Sequence, residues 1–593
     1  MKKLIRTLCL LLLGASSIQA QEANDATQRL RNQNAQFTEQ IVKVADDVYV
    51  AVGYSVSNVS MIVGDDGVII VDTGMMGEAA EKIATKFREI TDKPVKAIIY
   101  THSHGDHTGG APAFLGDERP QIWAHINFGS EARPWKAGGL TYQNVRGARQ
   151  AGFKLPPELR INNGVAPVRY PKRGGAVFSS GEGTNPTHFL EVDRQTINVA
   201  GVELELISSP GETNDGVSVW YPDGKVLFAG DTFYRSFPNL YAIRGTPNRI
   251  TRRWAQTLSK LADHNADALV GGHTLPVVGA DEVKRVLNDY RDAVQFVHDK
   301  TVEGINKGLT PDELVEYVQL PEHLASNDYL QPFYGHPEWG VRQTFSNYLG
   351  WFDGNASNLF PLPPKAEADR VAKLAGGTDK LLESARDALA ADDNQWAAQL
   401  ADHLLAINKD DKDAKQIKAD ALTKLASDMV NATARNYYLT VARELRAEAG
   451  PASKAKMPVK AVEKSEANKK AAMDFIQLVM GDRDYEAARK FAGEYIQHDP
   501  RIGDGFDALV EALETYPPWK NRPKSTVEFK NVAADGDLVY LQTHREIKAD
   551  DGFPARQIVV HVFRFNDAGK IDEHWTIVQS VKLKDSVSKH PLF

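Results

Sequence analysis

Four residues with metal-binding side chains stand within six positions of one segment of the chain. They follow the apolar run AIIY, in the stretch THSHGDHTGG, and they are His102, His104, Asp106 and His107. A loop that follows a buried strand is fixed at its root, so its alternate side chains can be aimed at one point. We expect His102 and His104 to meet one ion and Asp106 and His107 to turn toward a second.

Three more metal-binding side chains stand at comparable places further along the chain. Each comes at the end of an apolar run: Glu212 after VELELISSPG, Asp231 after KVLFAG and His273 after ADALVGG. Loops at strand ends are where a fold gathers a site. Together the two groups supply seven nitrogen and oxygen ligands, which are the kinds that suit zinc when thiolate is absent. The pattern predicts two zinc ions per chain.

The N-terminal segment MKKLIRTLCLLLLGASSIQA predicts a secretory signal peptide over residues 1–20. It has a basic start, an apolar run too short to span a bilayer, and small residues before Ala20. It also contains Cys9, the only cysteine of the chain, so cleavage would leave a mature protein without thiolate. We therefore expect a periplasmic or secreted protein with no membrane-spanning segment in its mature chain.

Length and composition predict several folded domains and exclude some partners. The chain has 593 residues, 42% hydrophobic and 25% charged, which is typical of globular proteins. Its formal net charge is -8, and the loss of three positive charges with the signal peptide (Lys2, Lys3 and Arg6) would bring it to -11. An acidic chain without a basic tract is not expected to bind nucleic acid.

The elements that must position the ligands are predicted from periodicity. Between residues 38 and 279 short β-rich runs alternate with turns and helices, including strand pairs around Asp66–Gly67 and Asp223–Gly224, which predicts a layered α/β domain. Residues 280–446 have helical spacing. Residues 447–465 are rich in Ala, Lys and Pro and are predicted to form a linker, followed by a small α+β domain over residues 466–593.

The stretch THSHGDHTGG is similar to the signature loop of the metallo-β-lactamase superfamily. That resemblance implies an αββα sandwich with the metals at one edge, with Asp231 bridging them and His273 as the last histidine. It also implies that Asp72, in VDTG, supports the metal loop. Where the superfamily usually has a histidine in GHT, this chain has Glu212. A glutamate there resembles the alkyl sulfatases, the zinc-dependent enzymes that hydrolyse detergents such as dodecyl sulfate.

Stretches outside the metal loop also resemble the alkyl sulfatases. They are NLYAIRG (239–245), YGHPEWGVRQTFSNYLGWFDGNASNL (334–359) and RNYYLTVARELR (435–446). The last two include parts of that family's helical dimerisation domain, so the resemblance implies a dimerisation domain over residues 280–446 and a homodimer. By the same resemblance, the candidates for contact with the substrate are Arg244 and Arg342 for the sulfate group, Tyr334 and His336 for orientation or proton transfer, and Asp106 of the metal loop. A second interpretation stays open for each arginine, namely an ordinary ion pair.

The chain departs from the alkyl sulfatase pattern at Asp231, in the stretches FYRSFP and GGHTLPVVG, and in its C-terminal domain. The family tends to have a glutamate at the position of Asp231, although an aspartate can also bridge two ions. The C-terminal stretches EYIQHDPRIGDGFDALVEAL and VFRFNDAGKIDEHWTIVQ resemble instead the SnoaL-like group, a cone-shaped α+β fold with a central cavity. Two interpretations stay open for four residues of this domain: they line the cavity, or they pack in an ordinary accessory domain. The residues are His498, Asp499, His574 and Trp575.

Three functions are consistent with these residues. The first is zinc-dependent hydrolysis of alkyl sulfate esters to an alcohol and inorganic sulfate. The second is another hydrolase of the same superfamily, acting on a lactam, a lactone or a phosphoester. The third is a binding protein in which the C-terminal cavity carries the function and the metal site is structural. Since a structural zinc site usually closes with four ligands, seven candidate ligands favour an enzyme, and we expect the first function.

Overall fold

A computed structural model of the chain describes residues 25–116, 119–131, 138–167, 184–450, 459–499, 501–520, 523–535, 537–548, 554–566 and 568–582. The chain forms two compact units, Met1–Ala452 and Ser453–Phe593, and each is described by itself. The predicted signal peptide lies outside the described residues. Within the described ranges, no helix is long and apolar enough to cross a membrane.

Two sheets form the inner layers of the first unit. The first sheet has seven strands that neighbour one another in chain order: β1 (Gln40–Ala45), β2 (Val48–Val52), β3 (Val59–Val63), β4 (Val68–Val71), β5 (Val95–Ile99), β6 (Gln121–His125) and β7 (His188–Leu190). The second has six strands in the order β13-β12-β11-β10-β9-β8: β8 (Arg194–Val199), β9 (Val202–Ser208), β10 (Val217–Tyr221), β11 (Val226–Gly230), β12 (Ala268–Gly271) and β13 (Val277–Val278). The predicted strand pairs are β3 with β4 and β10 with β11.

Helices cover the sheets and continue beyond them. In the first unit they are α1 (Asp25–Gln33), α2 (Glu78–Arg88), α3 (Gly105–Thr108), α4 (Tyr142–Gln150), α5 (Thr251–Ala262), α6 (Ala280–Asn306), α7 (Pro311–Tyr317), α8 (Glu322–Ala325), α9 (Pro337–Leu349), α10 (Pro364–Ala375), α11 (Thr378–Ala390), α12 (Asn394–Ile407), α13 (Lys412–Ser427) and α14 (Ala432–Ala449). Short 3-10 turns occur at Asn34–Phe37, Ala111–Phe114, Pro157–Leu159, Asp328–Leu330 and Ala356–Asn358.

Three apolar cores order these elements into four layers. Between the sheets, side chains such as Val50, Leu206 and Phe228 pack together. A second core, which includes Phe87, holds α2 against the outer face of the first sheet. A third core, which includes Trp254, holds α5 and α6 against the second sheet. Because both faces of each sheet are covered, the central strands are nearly continuous runs of Val, Ile and Leu. The predicted αββα sandwich is confirmed.

The predicted helical region does not begin as a separate domain at residue 280. The apolar face of α6 packs through Val286 and Tyr290 with Leu227 of β11, and α9 joins the same core through Phe345. A separate core connects α10 to α14. The helical region is therefore divided after α9. Its first helices belong to the outer layer of the sandwich, whereas α10 to α14 share a core of their own. Helix α7 begins with a capping box, in which the side chains of Thr310 and Glu313 each accept a hydrogen bond from the other residue's backbone N–H.

The structure also differs from the prediction in the linker over residues 447–465. Helix α14 continues to Ala449, and helix α15 begins at Val459, so the predicted linker is helical at both ends. The buried positions early in α15 are Ser465, Asn468 and Ala472. A helix whose buried face carries small and polar residues has no apolar stripe, so the periodicity did not reveal it.

The second unit is a small α+β domain, as the sequence predicts. Its sheet has the order β14-β18-β17-β16-β15, with β14 (Ala492–Gln497), β15 (Phe529–Asp535), β16 (Leu538–Lys548), β17 (Pro554–Phe565) and β18 (Ile571–Lys582). Its helices are α15 (Val459–Ile476), a π-helical turn (Gln477–Asp482), α16 (Tyr485–Arg489), α17 (Phe506–Thr515) and α18 (Pro517–Lys520). They pack on the sheet around buried aromatic residues such as Phe475 and Phe563.

Candidate functional site

The histidine loop leaves the first sheet at the C-terminal end of β5. Strand β5 is buried between the parallel strands β4 and β6. Asp72, at the end of β4, accepts hydrogen bonds from the backbone N–H and the hydroxyl of Thr101, both at 2.8 Å. Its carboxylate is also 2.7 Å from Nδ1 of His107. The root of the loop is thereby tied to the neighbouring strand, in the supporting role predicted for Asp72.

The one-turn helix α3 divides the loop into two parts. His104 precedes the helix in an extended conformation, whereas Asp106 and His107 lie within it. The turn after the helix lies close against the segment that follows β4 because position 110 is a glycine: a Cβ on Gly110 would stand 2.0 Å from the carbonyl oxygen of Thr73. The side chains before and inside the helix are therefore aimed at different points.

The other three predicted ligands come from the ends of strands in the second sheet. Glu212 follows β9, Asp231 follows β11 directly, and His273 follows β12. Asn58, from the first sheet, fixes the last of these loops, because its amide donates to the carbonyls of Gly271 and Thr274 at 3.0 and 2.7 Å. The edge where both sheets end therefore brings all seven predicted ligands into one cluster.

One set of ligand atoms contains His102, His104, Glu212 and Asp231. Nε2 of His102 lies 3.7 Å from Oδ2 of Asp231 and 2.9 Å from Nδ1 of His104. The same nitrogen of His104 lies 4.0 Å from Oε1 of Glu212. The second set contains Asp106, His107, His273 and again Asp231.

In this second set the two imidazoles converge on the same carboxylate oxygen. Nε2 of His107 and Nε2 of His273 lie 3.3 and 3.2 Å from Oδ1 of Asp231. Oδ2 of Asp106 is 3.7 and 3.8 Å from the same two nitrogens. Asp231 is therefore shared by both sets, as a bridging ligand would be.

These separations fit metal ions. Ligands about 2.1 Å from a tetrahedral zinc ion stand about 3.4 Å from one another, and most of the separations within the two sets lie between 3.2 and 4.0 Å. Nε2 of His107 and Oδ1 of Asp231 are buried without a hydrogen-bond partner. Since buried polar atoms are almost always satisfied, these two atoms fit the role of metal ligands.

The electrostatics of the cluster also favour a bound cation. Burial and the neighbouring His107 lower the pKa of His102, and burial with His102 lowers that of His104, so both imidazoles are neutral. Burial opposes a charge on His107 and His273, but the Asp231 carboxylate raises the pKa of both overall. Burial likewise opposes the charge of Asp231, and the surrounding histidines nevertheless hold its pKa well below the ordinary range. The cluster therefore attracts positive charge.

Glu212 is held by two buried groups that the sequence did not predict. Arg249 donates from Nη2 to Oε1 of Glu212 at 2.9 Å, and the hydroxyl of Tyr234 donates to Oε2 at 3.3 Å. Burial raises the pKa of Glu212, and the nearby Arg249 offsets only part of this effect. The backbone N–H of Asn239 donates to the Tyr234 hydroxyl at 2.7 Å. No motif surrounds Arg249 or Tyr234 to mark them.

Of the four predicted substrate residues outside the metal loop, two lie near the cluster. The positive charge of Arg244 adds to the effects of burial and His102 that lower the pKa of His104, and it opposes the burial that raises the pKa of Glu212. The Arg244 guanidinium has no hydrogen bond to any residue that the structure describes. The ring of Tyr334 lies 5.6 Å from that of Tyr234 in an edge-on arrangement. Burial and the nearby Glu212 raise the pKa of Tyr334, so its hydroxyl keeps its proton.

The other two predicted residues lie away from the cluster. Arg342 is exposed on α9 and forms an ion pair with Asp312, with 2.6 Å between Nη1 and Oδ1. The prediction that it binds the sulfate is corrected, because the direction of α9 turns its side chain toward solvent. His336 precedes α9, and its ring lies 5.6 Å from that of Trp339. In the described ranges it has no contact with the seven ligands.

Comparisons with known proteins agree with this geometry. Three families match in succession: "Metallo-beta-lactamase superfamily" over residues 52–273, "Alkyl sulfatase dimerisation" over 310–448 and "SnoaL-like domain" over 474–574. A linear primary-alkylsulfatase of Pseudomonas sp. (strain ATCC 19151) is 38% identical over 394 residues, which cover 65% of this chain and 73% of that protein. The chain belongs to the alkylsulfatase family.

Other alkylsulfatases are similar over comparable lengths. An (R)-specific secondary-alkylsulfatase of Pseudomonas sp. is 31% identical, over 68% of this chain and 62% of that protein. The solved structure of a stereoselective inverting sec-alkylsulfatase from Pseudomonas sp. matches with a TM-score of 0.64 and 30% identity, over 70% of this chain and 67% of the other. The alkylsulfatase relatives favour the first of the three functions expected from the sequence.

The SnoaL-like domain of this alkylsulfatase has a cavity, and two of the four predicted residues line it. Asp499 and His574 are among its lining residues. His498 and Trp575 instead stack on each other, with ring centroids 4.3 Å apart and parallel planes. Successive side chains of a strand point to opposite faces, so His574 and Trp575 cannot both face the cavity.

Proposed function

We propose that the protein hydrolyses alkyl sulfate esters to an alcohol and inorganic sulfate at the seven-ligand cluster. The observation that carries this proposal is the pair of ligand sets sharing Asp231, in a chain that is 38% identical to a linear primary-alkylsulfatase. A sulfate monoester is an anion, and the cluster combines cation-binding carboxylates with Arg244, whose guanidinium has no hydrogen bond to a described residue. The chain therefore functions as a sulfuric ester hydrolase.

Two zinc ions are the cofactors that we propose. His102, His104 and Glu212 would hold one ion, and Asp106, His107 and His273 the other, with Asp231 between them. The donors are imidazole and carboxylate, which zinc accepts. Bound there, the ions would supply Lewis-acid activation of a water molecule and of the ester oxygens.

The side chains around the cluster have separate tasks in this proposal. Arg244 binds the sulfate group, because Arg249 is already committed to Glu212 at 2.9 Å. The Tyr334 hydroxyl keeps its proton and can donate a hydrogen bond to an ester or alcohol oxygen. Arg249 and Tyr234 orient Glu212 as a ligand, in the way that outer groups commonly fix metal-binding carboxylates.

A substrate panel tests the proposed reaction. We expect release of inorganic sulfate from dodecyl sulfate and no comparable hydrolysis of dodecyl phosphate or of a β-lactam. His104→Ala should abolish sulfate release, since it removes a ligand, whereas His323→Ala, on exposed helix α8, should leave the rate unchanged. Lactam or phosphoester hydrolysis without sulfate release from any alkyl sulfate would contradict the proposal.

We also propose that the enzyme is a homodimer formed through its helical region. That region matches the family described as "Alkyl sulfatase dimerisation". It carries a run of exposed apolar side chains of the kind that marks a protein interface: Tyr348, Leu349, Trp351, Leu359, Phe360 and Leu362.

Size-exclusion chromatography with light scattering, which measures the molecular mass in solution, tests the dimer. Phe360 is 94% exposed, and we expect Phe360→Ser together with Trp351→Ser to produce monomers. Val192→Ser, an equally apolar exposed site on the sandwich, is the matched control and should leave the mass unchanged. A monomeric wild-type protein would refute this assembly.

Export is proposed from the sequence. The basic start and short apolar run within residues 1–20 support it. N-terminal sequencing of the protein purified from its native host tests the point. We expect a start after Ala20, and a retained Met1 would contradict export by cleavage.

A further inference from the structure

A cavity in the second unit carries a hydrogen-bond chain that the hydrolytic reaction does not use. The cavity has a volume of about 80 Å³ and lies between the sheet, α15 and α17. Most of its wall is apolar, with Phe475, Val479, Leu509 and Leu513 among the lining residues. Two buried imidazoles, His561 and His574, interrupt that wall. The other polar or charged lining residues are Asp499, Arg501, Gln557 and Thr576.

The hydrogen bonds around His574 determine which of its nitrogens carries the proton. The side-chain carbonyl of Gln497 accepts from the backbone N–H of Asp499 at 3.1 Å, so its amide nitrogen is the end that faces His574. That nitrogen can only donate, and it lies 3.2 Å from Nδ1 of His574. The Tyr495 hydroxyl is 2.8 Å from the same Nδ1. Nδ1 is therefore an acceptor, and the proton of His574 is on Nε2.

The same reasoning fixes His561. Nε2 of His574 is 3.1 Å from Nδ1 of His561 and 3.3 Å from the Thr576 hydroxyl. Because the proton of His574 is on Nε2, the facing Nδ1 of His561 cannot carry one and accepts. His561 then carries its own proton on Nε2, and among the described residues this N–H has no hydrogen-bond partner. Burial lowers the pKa of His561 to about 4 and that of His574 well below its ordinary value, so both rings are neutral at pH 7. The hydrogen-bond chain therefore ends at the cavity in one neutral donor, the Nε2–H of His561.

The charged residues of the cavity wall cancel each other. Asp499 is bound by Arg501 through two hydrogen bonds, at 2.8 Å to Oδ1 and 2.6 Å to Oδ2. The guanidinium of Arg501 also lies 5.5 Å from the centre of the Trp519 ring. A guanidinium held in this way by a carboxylate offers no net positive charge to an anionic ligand.

We propose that this cavity is a binding site for a small, uncharged, mostly apolar molecule with one hydrogen-bond-accepting oxygen. The acceptor, a carbonyl or hydroxyl oxygen, would receive the N–H of His561, while the apolar body contacts the side chains around Leu509. Since a single water requires roughly 10–15 Å³ of such space, the ligand has about five to eight non-hydrogen atoms.

Calorimetric titration of the whole protein tests the site with three cyclic probes of similar size. Cyclohexanone offers only an acceptor, cyclohexanol offers an acceptor and a donor, and cyclopentanecarboxylate is an anion that stays within the same limit of about eight non-hydrogen atoms. We expect both neutral probes to bind and the anion to bind at least about tenfold more weakly, because burying an unpaired charge is costly. Tighter binding of cyclohexanol than of cyclohexanone would assign an alcohol, and the reverse a carbonyl compound.

Variants separate the donor from the packing. His561→Phe keeps an aromatic ring and removes the N–H, and we expect it to weaken cyclohexanone binding about tenfold. His561→Gln places an amide N–H near the same position and should restore binding to within about threefold. The matched control His498→Gln, outside the cavity, and the hydrolytically inactive His104→Ala should bind as the wild type does. Unchanged binding to His561→Phe, or tighter binding of the anion, would overturn the proposal, as would failure of both neutral probes to bind.

Discussion

Substitution of Gly272 tests how tightly Asp231, the proposed bridging ligand, is held. A Cβ at this position would stand 2.0 Å from Oδ1 of Asp231, where ordinary contact needs about 3.4 Å. The backbone cannot move aside easily, because the N–H of Gly272 donates to Gly230 at 2.8 Å and its carbonyl accepts from Asn58 at 2.7 Å. In Gly272→Ala the carboxylate would therefore have to shift by about 1.4 Å.

Metal coordination does not tolerate such a shift. Ligand distances in metal sites agree within about 0.2 Å, so a displacement of this size removes the bridge. Because even an outer group around a metal contributes roughly 10- to 100-fold to affinity, we expect Gly272→Ala to lower zinc affinity and sulfate release by at least about 100-fold. Competition with a fluorescent chelator measures the affinity, and ion chromatography measures the sulfate.

A matched variant isolates the steric effect. Gly116→Ala makes the same chemical change at a glycine with no atom within 4 Å of the added Cβ. It should bind zinc and release sulfate as the wild type does, and both variants should retain the circular dichroism of the wild type. A folded Gly272→Ala protein with wild-type zinc affinity would refute the geometry of the bridge.

Two further predictions follow from the charges of the molecule. Arg244→Ala should lower kcat/KM for dodecyl sulfate by about 10- to 100-fold, the effect of losing one charge-assisted hydrogen bond, whereas Arg342→Ala should change it less than twofold; equal effects would contradict the assignment. The pKa of His561 is lowered on folding from the ordinary 6.5 to about 4. The unfolded chain therefore binds more protons in this pH range, and acidification from pH 6.5 to 4 should cost the second unit roughly 3 kcal/mol of unfolding free energy. Urea unfolding of the whole protein followed across this pH range measures the loss, and His561→Gln, which does not titrate, should lose less; the same loss in both proteins would exclude His561 as its source.

The clustering of the seven predicted ligands could be predicted because each lies in a segment that directly follows a strand. Apolar runs such as VKAIIY and KVLFAG fix where a strand ends, and the two sheets bring those ends to one edge. The resemblance then supplied the bridging role of Asp231. Local sequence was sufficient for these residues because their position depends on strand ends rather than on loop conformation.

The surroundings of the ligands depend on contacts between distant segments. Arg249 and Tyr234 reach Glu212 from separate loops, and one arginine among 70 lysines and arginines has no local signal. Arg342 belongs to a stretch that resembles the family, but the direction of its helix places it on the surface. The same limit applies to α6, whose apolar face is visible in the sequence while its partner, the second sheet, is not.

Zinc titration of metal-free protein, with sulfate release from dodecyl sulfate followed at each step, tests the central claim most directly. We expect no activity without metal and a rate that rises until two zinc ions are bound per chain, because the two sets of ligands share Asp231. Full activity after one equivalent, or sulfate release that persists in the metal-free protein, would contradict a two-metal alkyl sulfatase.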